Sequence, residues 1–481
     1  MHSETAVVAA TPNFALVNGL TLIAALGGLL FGYDTAVISG AVGAIDANFI
    51  TPRGLSETAA GSLSGWTISC ALLGCVIGAA LAGPISQRIG RRGGLLVSAV
   101  LFFTSAIGSA FPEFGLGPIG GMGPAALTPF ILYRIVGGIG VGIASMLSPL
   151  YIAEISPPAQ RGKLVTYQQV AIVVGMTLVY FVNWAIAAQG DDSWVLHTGW
   201  RYMLLSGAIP AGLFLLLLLL VPESPRWLVM KGRAKEAHDV LLRLTSPAEA
   251  RTVLSEIEGS LTATSGKLFA FGGLLLFVGI MLSLFQQFVG INAVLYYAPL
   301  MFKNMGASTD TALLQTIIVG VANIVFTLVA FHTVDRWGRK PLLVLGALMM
   351  AVSMLTLGFL FSSGHVGTAA LVAVVAYIAG FALSWGPVVW VLLSEIFPNA
   401  IKSKAMALAV AMQWIANLFV SWSFKVLDGN SVLNGLFHHG FAYWVYGGMS
   451  VLAALFVLRY VPETKGRTLE AIQHLWVKPQ T

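Results

Sequence analysis

Residues 21–41 read TLIAALGGLLFGYDTAVISGA, and the organisation of the whole chain follows from this stretch. It can cross a bilayer, because a membrane-spanning helix needs about 20 mostly apolar residues. It also contains Asp34, and a carboxylate at membrane depth costs about 2.5–3.5 kcal/mol on insertion scales. Buried acids of this kind mark ion or proton pathways. We therefore interpret Asp34 as a proton carrier in a transporter; the alternative is a polar residue buried for helix packing or register.

The composition indicates a polytopic membrane protein. Of the 481 residues, 57% are hydrophobic and 10% are charged, whereas soluble domains carry about 25% charged residues. Residues 1–13 lack the positive region of a secretory signal, so the first apolar run is expected to remain as the first span. Cys70 and Cys75 do not share a helix face and are expected to be free thiols. The net charge of +6 follows membrane topology and does not indicate a nucleic-acid partner.

Twelve apolar segments predict twelve transmembrane helices. They lie near residues 15–39, 62–84, 93–111, 129–151, 165–188, 201–221, 269–300, 311–333, 341–362, 367–393, 405–427 and 441–461. With both termini in the cytoplasm, all but five of the 26 Lys and Arg residues fall on the cytoplasmic side, as the positive-inside rule requires. The five exceptions are Arg53, Arg134, Arg201, Lys303 and Lys425. We therefore expect a multi-pass protein of the cell (inner) membrane, with the lipid bilayer as a partner.

Three sequence motifs occur twice, in matching loops of two six-helix units. EISPPAQR at 154–161 corresponds to EIFPNAIK at 395–402, RIGRR at 88–92 to RWGRK at 336–340, and VPES at 221–224 to VPET at 461–464. Such repeats are typical of transporters whose halves enclose a site at the membrane midplane. The predicted parts are an N-terminal tail at 1–14, a half at 15–221, a helical cytoplasmic linker at 222–267, a second half at 268–461 and a C-terminal tail at 462–481.

The chain resembles the sugar porter family of the major facilitator superfamily in the motifs GGLLFGYDTAVISG, PESPRW, RIGRR, DRWGRKP, QQFVGINAVLYYAP and PETKG. It is most similar to bacterial D-xylose–proton symporters, notably in YRIVGGIGVGIASMLSPLYIAEI and LSWGPVVWVLLSEIFPNAI. The resemblance implies an all-α major facilitator fold with twelve transmembrane helices in two six-helix halves. It also implies a symporter that imports a monosaccharide, D-xylose first, together with a proton by alternating access.

Amide side chains suit a sugar, because they donate and accept hydrogen bonds as sugar hydroxyls do. The resemblance implies that the sugar is contacted by Gln169, Gln286, Gln287, Asn292, Trp390 and Gln413. Further candidates are Gly386, Asn323 and Trp414. Phe31 is predicted to form a cavity wall, and the alternative is an ordinary core residue. For each amide taken singly, the alternative is an interhelical hydrogen bond.

The seventh span is predicted to bend or unwind. Gln286, Gln287 and Asn292 do not share a face on a straight helix, so they converge only if the span breaks near Gly290, as transporter helices do at binding sites. Asn292 and Tyr296 do share a face. We therefore expect Tyr296 to close the outer side of the site.

Arg134 is the base that falls well inside a predicted span. A guanidinium at that depth needs a partner, and Asp34 is the obvious one, as the resemblance also implies. Such a pair can hold Asp34 ionised until protonation releases Arg134. We expect this exchange to couple proton uptake to rocking of the two halves.

The chain departs from D-xylose–proton symporters at two positions. Gly207 stands where those proteins have a glutamate, so coupling depends on Asp34 and Arg134 alone, or the carrier is an uncoupled facilitator. Met176 stands where they have a second glutamine, on the face of the helix that carries Gln169. Because a polar partner is lost there, glucose or another hexose is the alternative substrate.

Charged loop residues are predicted to form cytoplasmic ion pairs within and between the halves, and so to gate the inner side. They are Glu154, Arg161, Arg91, Arg226, Glu223, Glu395, Arg339 and Lys402. Exposed pairs contribute only about 0–1 kcal/mol, so the alternative is that these charges only fix topology and helix ends. Lys402 replaces an arginine of the family, and a lysine lacks the planar fork for two-pronged contacts.

The sequence carries no phosphate-binding loop, nucleotide motif or catalytic triad. We therefore predict no enzymatic activity, no cofactor and no metal, although His438 and His439 adjoin each other in an outer loop. A sugar sensor that binds without carrying is the alternative of a different class. The segment after the last span is short for such a sensor. A monomer is expected to suffice for transport.

Overall fold

The structure, a computed structural model, describes residues 13–157, 160–260, 268–269, 271–365, 367–398 and 401–465. Within these ranges the regular structure is helical, without a strand. The prediction of an all-α protein is therefore confirmed. Most of the two predicted tails, and linker residues 261–267, lie outside the described residues.

Eight α-helices form the first half of the chain. They are α1 (Phe14–Val37), α2 (Val42–Ile45), α3 (Glu57–Ala110), α4 (Leu127–Ile155), α5 (Arg161–Ala187), α6 (Asp192–Trp194), α7 (Trp200–Leu205) and α8 (Ala208–Leu218). Short 3-10 and π-helical turns connect several of them, at Ile38–Gly40, Asp46–Ile50, Thr51–Arg53, Gly123–Ala126 and Val195–Gly199.

Three linker helices and nine further helices complete the described chain. The linker holds α9 (Pro225–Met230), α10 (Ala234–Leu244) and α11 (Pro247–Ser260). The second half holds α12 (Gly273–Phe288), α13 (Ile291–Asn304), α14 (Thr309–Trp337), α15 (Arg339–Ser362), α16 (Thr368–Gly380), α17 (Gly386–Ile396), α18 (Lys402–Asp428), α19 (Ser431–Phe437) and α20 (Phe441–Tyr460). A π-helical turn at Phe381–Trp385 joins α16 to α17.

The described residues contain 11 helical segments that are long and apolar enough to cross a membrane. One of them is α3, which has 54 residues and a non-helical Gly90 at φ 89° inside it. A helix of that length is far longer than one bilayer crossing requires. Because Gly90 divides α3 into two crossings, the segments amount to the predicted twelve spans.

Close helix packing holds Asp34 in position. A Cβ atom at Gly32 of α1 would lie 1.9 Å from the Ile172 carbonyl oxygen of α5. A Cβ atom at Gly138 of α4 would lie 1.8 Å from the carbonyl oxygen of Ala71 in α3. Helices in lipid associate through such close contacts between small residues. The glycines thus bring α1, α3, α4 and α5 together around the carboxylate.

The bundle has two ends, which we call the linker side and the far side. The linker side carries the start of α1, the turn at Gly90 and helices α9–α11; the far side carries the turns after α1 and before α14. On the far side, α3 packs against α18 and α5 against α14. The two halves therefore meet along the far part of the bundle.

Candidate functional site

The Asp34–Arg134 ion pair lies inside the first half. Arg134 Nη1 is 3.1 Å from Asp34 Oδ1, and only 2% of the arginine side chain is exposed. Arg134 Nη2 also donates to the backbone carbonyl of Asp34 at 3.1 Å. That carbonyl belongs to the last turn of α1, where carbonyls lack helical partners and carry the negative end of the helix dipole. One guanidinium thus binds both a titratable and a non-titratable oxygen.

A small cavity adjoins this ion pair. Its volume is about 10 Å³, and its lining includes Tyr33, Asp34, Arg134 and Gly207. A Cβ atom at Gly207 would lie 3.6 Å from Ala106 Cβ and 3.8 Å from the Tyr33 ring. Gly207, which the sequence comparison with D-xylose–proton symporters predicts to stand in place of a glutamate, therefore lines the same cavity as Asp34 and presents no side chain to it.

The predicted amides of the second half form a hydrogen-bonded cluster. Gln286 Nε2 donates to the carbonyls of Trp385 at 2.8 Å and Gly386 at 3.3 Å. Gln413 Nε2 donates to Gln286 Oε1. These bonds tie α12, α17 and α18 together at one level. Gln286 therefore makes the interhelical hydrogen bonds that were the alternative to a sugar-binding role.

The seventh span breaks where the sequence predicts. Gly290 has φ 94°, a conformation that favours glycine, and it separates α12 from α13. Across this break Asn292 Nδ2 donates to Gln287 Oε1 at 2.6 Å. The unwound turn thus brings together two amides that a straight helix would hold apart.

Aromatic residues connect the two halves beside the amides. The Phe31 ring of α1 lies 5.4 Å from the Trp414 ring of α18, with the planes tilted by 48°. Tyr296 of α13 is buried, and its side chain interacts with Asn417 of α18 and Thr35 of α1. The Phe31–Trp414 and Tyr296–Thr35 contacts cross between the halves, so residues of the first half lie beside these second-half side chains.

The remaining predicted ligands differ in exposure. Gln169 and Trp390 are partly exposed. Asn323 is buried in α14. Met176 is buried in the apolar core at the contact of α5 with Gly32. Gly386 takes part through its backbone carbonyl.

Gln168 is a buried amide that was not among the predicted site residues. Neither polar atom of its amide has a hydrogen-bond partner among the described residues. A Cβ atom at Gly28 would lie 2.8 Å from the Gln168 amide carbon, so this side chain packs against α1. Gln168 and Gln169 are adjacent in α5. Gln168 is buried against α1, whereas Gln169 is partly exposed, and this difference depends on how α5 packs on α1. The glycine-rich face of α1 was the available signal.

A network of charges closes the turn at Gly90 on the linker side. The Glu223 carboxylate accepts hydrogen bonds from the backbone amides of Arg91 and Arg92 at 2.9 and 3.2 Å. The Arg91 guanidinium binds both oxygens of Glu154 at 2.8 Å. Ser224 donates to the same Glu154 carboxylate. Two acids and one arginine thus hold α3, α4 and the start of the linker together.

The second half repeats this network. Glu463 accepts from the backbone amides of Arg339 at 3.1 Å and Lys340 at 3.0 Å. Arg339 pairs with Glu395 at 2.9 Å, and Thr464 donates to Glu395 at 2.6 Å. Burial alone would raise the pKa of Glu463, but these backbone donors lower it below its ordinary value. The sequence repeat therefore corresponds to a repeated set of contacts.

Three residues that were predicted to form gating ion pairs, Arg161, Arg226 and Lys402, do not form them among the described residues. We predicted inner ion pairs within and between the halves, but Arg91–Glu154 and Arg339–Glu395 each lie within one half. Arg161 donates to the Ala153 carbonyl near the end of α4, which leaves it a helix-capping role. Among the described residues, Arg226 and Lys402 have no ion-pair partner. Glu395, whose charge acts on Lys402, is already paired with Arg339.

Polar contacts between the halves lie instead on the far side. Lys425 Nζ is 2.7 Å from Asp46 Oδ2, and Trp184 Nε1 donates to Asp310 at 2.9 Å. Trp422 Nε1 donates to the Ser62 carbonyl at 3.2 Å, and Tyr180 donates to the Leu295 carbonyl at 2.8 Å. In the sequence, Lys425 stands out only as an exception to the positive-inside rule. Its partner is 379 positions away and carries no motif, so no local signal could have identified it.

The described part of the chain contains no cluster of three or more His, Cys, Asp or Glu side chains that could hold a metal ion. His439 instead pairs with Asp428 at 2.9 Å. Cys70 and Cys75 are both free and buried.

Comparisons with known proteins agree with this architecture. The family model described as "Sugar (and other) transporter" matches residues 20–476. The D-xylose-proton symporter of Escherichia coli (strain K12) is 55% identical over 481 residues, covering 98% of this chain and 97% of that protein. The glucose facilitated diffusion protein of Zymomonas mobilis subsp. mobilis is 49% identical over 465 residues, covering 96% and 98%.

A solved structure is also similar. The inward open conformation of the xylose transporter XylE from E. coli matches with a TM-score of 0.87 and 52% sequence identity. The match covers 96% of this chain and 100% of that one. With the family model, the two relatives and the twelve helical spans taken together, the chain belongs to the sugar transporter family and has the major facilitator fold.

Proposed function

We propose that this protein imports a monosaccharide together with a proton across the bacterial inner membrane, with D-xylose as the first candidate. The buried Asp34–Arg134 ion pair carries this proposal, because charged side chains inside membrane spans are costly and usually mark ion or proton pathways. The E. coli relative named as a D-xylose-proton symporter supports the substrate and the coupling. The concentration of Lys and Arg in the loops on the linker side supports a cytoplasmic linker and cytoplasmic termini. One chain is proposed to supply the whole site.

The sugar binds between the halves, at the level of the amide cluster. Gln286, Gln287, Asn292 and Gln413 offer both donors and acceptors to a polyol. Gln413 donates to Gln286, and Asn292 donates to Gln287. A sugar hydroxyl can accept from one amide of such a pair and donate to the other, so both amides stay hydrogen-bonded when the sugar binds. Phe31 and Trp414 supply apolar surface for the C–H face of the ring.

Protonation of Asp34 removes the charge that Arg134 faces. The Coulombic part of their attraction is then lost, while the bond to the backbone carbonyl of Asp34 remains. The pair is thereby weakened only when a proton is bound. We infer that this weakening allows α1 and α4 to shift when the halves rock.

Transport in liposomes tests this proposal. Purified protein in proteoliposomes should accumulate D-xylose against its gradient when the outside is more acidic, and adding sugar without a gradient should alkalinise the medium. Asp34→Asn should abolish accumulation and spare sugar counterflow. Glu57→Gln, which removes an exposed carboxylate at the far side, is the matched control. Normal accumulation by the Asp34→Asn protein would refute the coupling role.

An uncoupled sugar facilitator is the second candidate. Gly207 leaves a single carboxylate beside Arg134, and the Zymomonas relative is named for facilitated diffusion of glucose. Sugar uptake with no change in external pH would favour this candidate. Competition among D-xylose, D-glucose, D-galactose and L-arabinose then identifies the substrate, and the buried Met176 favours a hexose in that comparison.

A further inference from the structure

The cavity beside Asp34 is separate from the sugar site. It lies wholly within the first half, between α1, α3, α4 and the α7–α8 segment. Its volume of about 10 Å³ is close to the least that holds one water molecule. None of the amides assigned to the sugar lines it.

Three oxygens around this cavity lack partners. Asp34 Oδ2, Ser105 Oγ and Ser109 Oγ are buried and have no hydrogen-bond partner among the described residues. Ser105 is 0% exposed and Ser109 is 1% exposed. All three residues line the cavity. Buried polar groups in proteins are paired with protein or with ordered water, so these atoms point to a bound polar molecule.

The two serines are arranged as a path. Ser105 and Ser109 are four residues apart and share one face of α3. A Cβ atom at Gly137 would lie 2.3 Å from Ser105 Oγ and 3.5 Å from Asp34 Oδ1, so these oxygens face the same point. Ser109 lies one turn closer to the far side, where Arg201 donates to the carbonyl of Ala110.

We propose that this cavity binds one water molecule and that Ser105 and Ser109 relay protons through it from the far side to Asp34. A hydroxyl can accept one proton while it donates another. Each serine therefore ends a transfer with the O–H group that it had at the start. The net step moves one proton from a far-side hydronium ion to Asp34 Oδ2 and leaves water behind. This inference rests on the proposed proton coupling.

The charges near the path do not block it. Arg134 is held on Asp34 Oδ1 and the Asp34 carbonyl, which leaves Oδ2 facing the cavity. Beyond Ser109, Arg201 is paired with Glu113 at 2.8 Å, so its positive charge is balanced. The hydroxyl of Tyr33 is engaged by Ser206 at 2.7 Å. The two serines are thus the unengaged hydroxyls that border the acid.

The test uses the full chain in liposomes and compares proton-driven uptake with counterflow. Ser105→Ala and Ser109→Ala should each slow sugar-driven alkalinisation by at least about tenfold, as expected when a proton-transfer group is lost. Counterflow, which needs no net proton transfer, should stay within about twofold. Ser105→Thr keeps the hydroxyl and should retain fast alkalinisation. Ser98→Ala removes a buried serine of α3 outside the cavity and is the packing control.

The outcomes are separable. Fast alkalinisation by the Ser105→Ala/Ser109→Ala double variant would overturn the relay and leave the proposed coupling intact. An equal loss of counterflow and alkalinisation would assign the serines to packing and overturn the relay as well. If the unmodified protein carries sugar without protons, the proposed function itself fails. A high-resolution crystal structure should show water bonded to Asp34 and Ser105, and density that excludes water there would also refute the proposal.

Discussion

At the residue scale, Gly290 controls how the amides of the seventh span meet. Its positive φ separates α12 from α13 and lets Asn292 reach Gln287. The ring of Tyr446 packs closely against it, since a Cβ atom there would lie 2.5 Å from Tyr446 Cγ. A larger residue at position 290 would therefore adopt a strained backbone conformation and clash with Tyr446.

Gly290→Ala should lower stability by about 1–3 kcal/mol, because it combines a strained conformation with a steric clash. It should also raise the KM for sugar, since the Gln287–Asn292 contact depends on the break. Thermal unfolding and uptake kinetics measure the two effects. Gly448→Ala, at a helix position with open space around it, should be neutral or stabilising. Equal behaviour of the two variants would contradict this account of the seventh span.

At the scale of elements, the turns at Gly90 and Gly338 share one design. Gly90 has φ 89° and Gly338 has φ 95°. Each glycine is followed by two backbone N–H groups that donate hydrogen bonds to a glutamate. A Cβ atom at Gly338 would lie 2.7 Å from the Glu463 carboxylate, so the glycine also makes room for the acid. Carboxylates near helix N-termini satisfy free N–H groups and the helix dipole.

Glu463→Gln should remove an acid-sensitive part of the stability. The pKa of Glu463 is lower in the folded state than in the unfolded state, so its contribution is present above the unfolded pKa. This contribution is lost as the pH falls through the lower, folded pKa. Melting curves in detergent between neutral and acid pH should therefore fall less steeply for Glu463→Gln than for the unmodified protein. Parallel curves would show that the carboxylate charge contributes nothing.

At the scale of the whole molecule, the recorded contacts describe a carrier that is closed on the far side. Asp46–Lys425, Trp184–Asp310 and Trp422–Ser62 each join the halves there. The linker-side pairs lie within single halves and do not oppose opening on that side. The likeness to an inward open structure fits this arrangement. We infer that the structure represents the state open toward the linker side, which is the inward-facing state under the proposed topology.

Lys425→Gln should shift the carrier toward the outward-facing state. A partly buried ion pair of about 1 kcal/mol corresponds to a change of a few fold in the ratio of states. Distances between spin labels on the far ends of the two halves should lengthen on average. Lys303→Gln removes an exposed far-side charge that has no ion pair among the described residues, and it should change nothing. An unchanged distance distribution for Lys425→Gln would show that the pair does not stabilise the closed side.

Much of this architecture follows from residue patterns. Twelve apolar runs, the repeated motifs and the break at Gly290 are local features, so the sequence predicts them. The partners of the gating charges are not local. Arg91 and Arg339 bind acids of their own halves, while Lys425 binds Asp46 from the opposite half, and the choice depends on which end of the bundle is closed. Gln168 and Gln169 likewise differ only in how α5 is turned against α1.

Arg134 is bound at two points, the side-chain and backbone oxygens of Asp34, and this bears on the last step of the proposed transport cycle. One of its nitrogens holds the backbone carbonyl of Asp34, which no change of pH can neutralise. Under the proposed coupling, protonation of Asp34 weakens the hold on the guanidinium, but the bond to the backbone carbonyl keeps it in place. We infer that, once the proton leaves, the ion pair re-forms without a large movement of either side chain.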